Sequence, residues 1–102
     1  MVIDLKANEV VTKAGDVKFF APEAQVKGKL ILTNQRLYFK TLEDTYLDYN
    51  MEILPTDIRE LLYFKTKLFL QNGLSLVTRS GLHLKFLVKN RDSWSKEINK
   101  LC

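Results

Sequence analysis

Residues 27–40, KGKLILTNQRLYFK, constrain the fold more than any other stretch of the chain. Apolar and polar side chains alternate there, and a period of two marks a half-buried strand. Leu30 and Leu32 share one face before Asn34–Gln35, and Leu37 and Phe39 share one after it. If Asn34 and Gln35 form the turn, Thr33 faces Arg36, Leu32 faces Leu37, Leu30 faces Phe39 and Lys29 faces Lys40. A four-residue loop keeps the same partners. Both leucine pairs then land on one side, and a slip by one residue would turn the whole apolar set to solvent. The other side carries Lys27, Lys29, Arg36, Tyr38 and Lys40. Its bland reading is a solvated sheet face that discourages aggregation. Its sharper reading is an anion site.

Similar pieces recur along the chain. Glu9–Lys13 reads as a first strand, AGD (14–16) as a turn or bend, and VKFF (17–20) as a second apolar piece ended by Ala21–Pro22. LEDTYLDYN (42–50) is acidic and ends the basic stripe; MEILP is a further strand, and PTDI allows one turn before a strand that begins near Ile58. LYFKTKLFL is strongly β-prone. Asn72–Gly73 is the dipeptide preferred in type I′ hairpin turns, whose central residues both need positive φ. A three-residue RSG loop with Gly81 in the left-handed region sets Leu76 opposite Leu84 and Leu74 opposite Phe86, with Ser75 and Lys85 on the outer face. After Lys89 the period changes: Trp94, Ile98 and Leu101 recur at helical spacing, which predicts a helix over about 90–101 with Asn90 or Asp92 as its cap. The fold class is mainly β: about seven antiparallel strands, as a barrel or sandwich, capped by one C-terminal α-helix.

A chain of 102 residues is expected to be one domain, 1–102. At 46% hydrophobic and 27% charged it is globular in composition, and no apolar run approaches the roughly 18 residues of a membrane span. The opening MVIDLKANEVV has no basic segment followed by an apolar one, so no signal peptide is expected. Cys102 is the single cysteine, so no internal disulfide forms and a reducing cytosol is the default compartment. A net charge of +4 leans toward anionic partners. With 16 basic and 12 acidic residues the signs are mixed, and nucleic-acid binding is not expected. His83 is the lone histidine, no His/Cys/Asp cluster has metal-ligand spacing, and no Gly-x-Ser-x-Gly elbow or phosphate-loop motif occurs. No catalytic residue, metal or cofactor is therefore expected.

Two apolar features invite a functional reading. Phe19 and Phe20 are adjacent, so on a strand one faces the core; in a loop beside Lys18, both could wedge into a membrane. If Phe69 faces inward with Leu76, then Leu68 and Leu70 face outward. A partner protein, a second copy of the chain or a membrane would then cover them, unless a bulge in KTKLF resets the parity. Trp94, by contrast, sits on the helix stripe and reads as core.

The order GKLILTNQRLYF, ILPTDI, LSLVTRSGLHLKF and a terminal helix resembles a GRAM domain. The resemblance is carried by Gly28, Thr33, Asn34, Arg36, Leu37, Phe39, Asp57, Ile58, Gly81 and Phe86; Leu5 and Glu9 are similar to the opening of small bacterial members. It implies a pleckstrin-homology-like (PH-like) fold and a non-catalytic part that targets membranes or binds proteins. Lys13, Lys27 and Lys29 also resemble the basic spacing of phosphoinositide-binding PH domains, with Lys29 where an arginine is usual. Lysine lacks the planar fork that grips phosphate bidentately. The expectation is a cytosolic binding module. It would associate peripherally with anionic phospholipid through Lys13, Lys27, Lys29, Arg36 and Lys40, with Phe19 or Phe20 as wedge. The alternative is a protein-interaction or self-association module that uses Leu68 and Leu70.

Overall fold

A computed structural model describes residues 4–65 and 72–102. The alternating segments become strands β1 (Val11–Phe20), β2 (Gln25–Thr33), β3 (Leu37–Thr41), β4 (Met51–Ile53), β5 (Ile58–Phe64), β6 (Gly73–Thr78) and β7 (His83–Leu87). Short 3₁₀ segments at Asp44–Tyr49 and Pro55–Asp57 flank β4, and helix α1 covers Arg91–Leu101. Among the described residues the strands form one sheet in the order β4-β3-β2-β1-β7-β6-β5, antiparallel throughout. Ile53 from one end strand and Ile58 from the other belong to the same buried cluster, so the sheet curls round a common core. Phe19, Phe39 and Phe86 meet at its centre with ring centroids 5.3–5.7 Å apart. Burying side chains of this size is worth about 1.5–3 kcal/mol each.

The β2–β3 register is the expected one: Leu32 pairs with Leu37, Leu30 with Phe39 and Lys29 with Lys40. The β6–β7 hairpin also matches, with Leu76 opposite Leu84, Leu74 opposite Phe86, and Gly81 at φ +94°. Ser75 does lie beside Lys85, yet it is buried.

Three local expectations are corrected. AGD is not a turn: β1 runs unbroken through Ala14–Gly15–Asp16, beginning at Val11 and not Glu9. A Cβ on Gly15 would stand a tight 3.3 Å from the Trp94 ring, so the glycine eases the close approach of α1 to β1. Asn72–Gly73 is not a type I′ turn either. Gly73 opens β6 between Phe64 and Leu87, and a Cβ on it would strike the Phe64 carbonyl oxygen and ring. Finally, Asn90 occupies the N-cap position of α1 with left-handed backbone but caps with no side-chain bond; its carbonyl accepts the Ser93 and Trp94 amides. Arg91 fastens the helix start instead, donating to the carbonyls of Phe64 (3.0 Å) and Gly73 (3.1 Å). Trp94 and Ile98 are buried, as their helical spacing requires.

Candidate functional site

Beyond a register shift between Val11 and Lys13, β1 is continuous and its residues alternate between the two faces of the sheet. Val17 and Phe19 point into the core, while Asp16 and Lys18 point outward. The registers then set two cross-strand rows on the outer face. One runs Lys40–Lys29–Asp16 and the next Lys27–Lys18–Leu87. Lys29 lies directly opposite Lys40, and Lys18 directly opposite Lys27. Like charges so placed repel by up to about 1 kcal/mol. The Lys29 ammonium has one answering carboxylate, Asp16, at 3.6 Å. Among the described residues Lys18, Lys27 and Lys40 have no ion pair. Beside the second row, a groove of about 700 Å³ runs along β1, lined by Asp16, Lys18, Lys27, Leu42, Leu87 and Lys89 among others.

Arg36 has a different fate. It sits in a strap-and-clamp formed by the β2–β3 turn and residues 4–10. Asn34 accepts from the Val10 amide (2.8 Å) and donates to the Asn8 carbonyl (3.0 Å); Gln35 donates to the Ala7 carbonyl (2.9 Å). The guanidinium of Arg36 grips Glu9 through both carboxylate oxygens, each at 2.7 Å, and reaches Glu52 at 2.6 Å and the Asp4 carbonyl at 2.9 Å. It also stacks 4.4 Å from the centroid of Tyr38. Glu9 takes two further bonds, from the Thr33 hydroxyl (2.6 Å) and the Lys6 amide (2.9 Å). The Arg36 hydrogen bonds hold the Glu9 carboxyl down to about 2, outweighing the opposing effect of burial. They lower Glu52 as well, and Glu9 raises Arg36 further above its ordinary range. Burial, with the Glu52 bond, raises Tyr38. The Thr-Asn-Gln-Arg turn therefore does a structural task, tying the amino-terminal strap to the sheet.

Of the cations singled out in the sequence, Lys27, Lys29 and Lys40 come together on the outer face. Arg36 does not join them; it is 4% exposed and fully engaged. Lys13 does not join them either. It has the parity of Val17, and its ammonium lies 5.0 Å from the Trp94 ring on the helix side. Phe19 is core and not a wedge, while Phe20 is half-buried with its ring edge-on to Phe64. Leu68 and Leu70 lie outside the described residues. Two cations that line the groove, Lys18 and Lys89, are not among the anion-site residues expected from the sequence. The signal for Lys18 was present: once β1 is read straight through AGD, it opposes Lys27.

No protein-family model and no curated protein sequence matches the chain. Solved structures do. The C-terminal domain of a Leishmania infantum protein superposes with a TM-score of 0.75 at 15% identity, covering 93% of this chain and 86% of that one. The Vps36 N-terminal PH domain matches at 0.65 and 14%, over 95% and 81%. The Slm1 PH domain, solved in complex with inositol-4-phosphate, matches at 0.58 and 16%, over 89% and 92%. At such identities the likeness speaks for the fold alone. With its antiparallel seven-stranded sheet and single carboxy-terminal helix, the chain has a pleckstrin-homology-like fold.

Proposed function

We propose that the chain is a non-catalytic binding module of GRAM type, working in the cytosol, that associates peripherally with anionic phospholipid membranes. One observation carries the reading: Lys18, Lys27, Lys29 and Lys40 form two directly opposed like-charge pairs on adjoining rows, and among the described residues Asp16 is the one carboxylate in ion-pair contact with them. A face that merely had to be wet would lose nothing by mixing its signs. An outside anion gives the repulsion a use. Each lysine held near an anionic surface adds about 1 kcal/mol of attraction. The inositol-4-phosphate in the Slm1 complex supports an anionic headgroup as a ligand class for this fold. The GRAM assignment rests on the Thr33–Arg36 turn, Asp57–Ile58, Gly81 and Phe86 in their order.

Co-sedimentation with neutral and with phosphatidylserine-containing vesicles tests the reading. Wild-type protein should bind the anionic vesicles at low salt and lose most of that binding at physiological salt, where the screening length is about 8 Å. Lys29→Glu/Lys40→Glu should bind at least a hundredfold more weakly. Equal sedimentation of wild type and double variant would sink the proposal.

A second reading has an observation of its own. β5 is the last strand of the sheet, and it exposes Leu62 (41%) and Tyr63 (46%). Such an edge suits a protein partner or a second copy added as a further strand. Association of that kind would persist at high salt, whereas the membrane reading requires it to fade.

A further inference from the structure

The groove beside the lysine rows has a chemistry distinct from the flat face. Three lysines line it from different parts of the fold: Lys18 from β1, Lys27 from β2, and Lys89 from the link between β7 and α1. Among the described residues Asp16 is the only acid on its wall, and that carboxylate is turned to Lys29 at 3.6 Å. Asn90, the N-cap of α1, also lines the groove and gives the helix no side-chain cap. Asp92 in the first turn of α1 offsets the positive end of the helix, so the lysines supply the groove's positive charge. Leu42 stands at the groove, 56% exposed, where a lipid chain or solvent would meet it.

From this arrangement we infer that the groove is a seat for a single phosphomonoester. The inference rests on the reading of the lysine face as an anion-binding surface, and it names the anion. Three lysines line the groove and Asp16 is paired with Lys29, so the groove keeps an excess of positive charge that suits a multiply charged anion. A phosphomonoester carries about −1.5 to −2 at neutral pH, whereas a phosphodiester carries a single charge. A volume of about 700 Å³ holds the phosphate together with the polar group that bears it. Lys89 is the discriminating residue: it belongs to the groove, while Lys40 belongs to the flat face.

Two soluble and two membrane probes test this on the full chain. Amide spectra of the ¹⁵N-labelled protein are followed during titration with glycerol 3-phosphate against sodium chloride of equal ionic strength. Vesicles carrying phosphatidic acid, a phosphomonoester lipid, are compared with vesicles carrying phosphatidylserine. The variants Lys89→Ala and Lys40→Ala remove one charge each, and unchanged spectra elsewhere show that both are folded. A phosphomonoester seat gives saturable shifts at Lys18, Gly28 and Lys89–Asp92. These should weaken about tenfold or more in Lys89→Ala and little in Lys40→Ala. Affinity should fall as pH drops through about 6, where the phosphate takes up its second proton. If the source is a lipid, wild type prefers phosphatidic acid, Lys89→Ala loses the preference, and Lys40→Ala weakens both lipids alike. If neither vesicle binds but glycerol 3-phosphate still gives saturable shifts, the membrane reading fails and the seat stands with a soluble ligand. If both lipids bind equally and glycerol 3-phosphate acts no differently from chloride, the seat is overturned and the membrane reading survives.

Discussion

The β2–β3 hairpin carries cations of two opposite kinds, one residue type apart and a few residues apart in sequence. Arg36 is buried, gripped by Glu9 and Glu52, and stacked on Tyr38. Lys29 and Lys40 face each other half-buried on the outer face of the sheet, with one carboxylate near Lys29. The guanidinium has enough donors in a fixed fork to satisfy two carboxylates and a carbonyl at once, so burial is tolerable. The ammonium groups keep their charge for whatever approaches. The contrast teaches that a stripe of positive residues in sequence divides into structural and available charge only when the partners are known. Substitutions in the two regions should therefore have opposite signatures.

The largest effect is expected in the clamp. Arg36→Ala leaves the Glu9 carboxylate buried without its partner, and removing one member of a buried pair is severely destabilising. The thermal midpoint should fall by roughly 10 °C or more. The joint variant Glu9→Leu/Arg36→Met should fall by less than the single one, because no stranded charge remains. Thermal melts by circular dichroism read both. A small loss in Arg36→Ala, comparable to that of an exposed lysine, would erase the distinction between the two regions.

Acid should reach the same clamp next. Glu9 titrates near 4.5 when unfolded and at about 2 when folded. Between those values the unfolded chain binds a proton that the folded chain refuses, so stability declines as pH falls through the window and is intact above it. The lowered Glu52 carboxyl adds to the decline. Melts between about pH 6 and pH 2 should show it, and the slope should flatten in Glu9→Leu/Arg36→Met. A wild-type profile as flat as that variant's would mean that the pair contributes nothing to folding.

How far the sequence disclosed this division follows from what kind of constraint acted at each place. The β2–β3 register was legible because a slip would expose Leu30, Leu32, Leu37 and Phe39 together. The Gly81 turn was legible because a local backbone requirement selects glycine there. Gly15 and Gly73 misled because their reasons are distant: a tryptophan on α1 in one case, the Phe64 backbone in the other. Read as part of a turn, Gly15 broke β1 and hid the pairing of Lys18 with Lys27. Parity placed Arg36 outward, but parity carries no information about a strap that folds back over that end of the sheet. Lys89 was hidden at the change of period, where neither strand nor helix spacing assigns a face.

The smallest effect has the most diagnostic sign. Lys40→Glu converts the Lys29–Lys40 repulsion into an attraction and leaves the Lys29–Asp16 contact in place. Cross-strand pairs of this kind are worth at most about 1 kcal/mol, so the melting temperature should rise by about 2–5 °C at low salt. The gain should vanish at high salt, where exposed charges are screened. Binding to phosphatidylserine vesicles should fall in the same variant. Stability would then rise as binding is lost, which is the relation expected of a face that holds repulsion in reserve for an anion. A midpoint that instead drops would show that the lysine stem supports the sheet by packing. The opposed pairs would then lose their value as a sign of ligand binding, and the edge of β5 would become the stronger candidate surface.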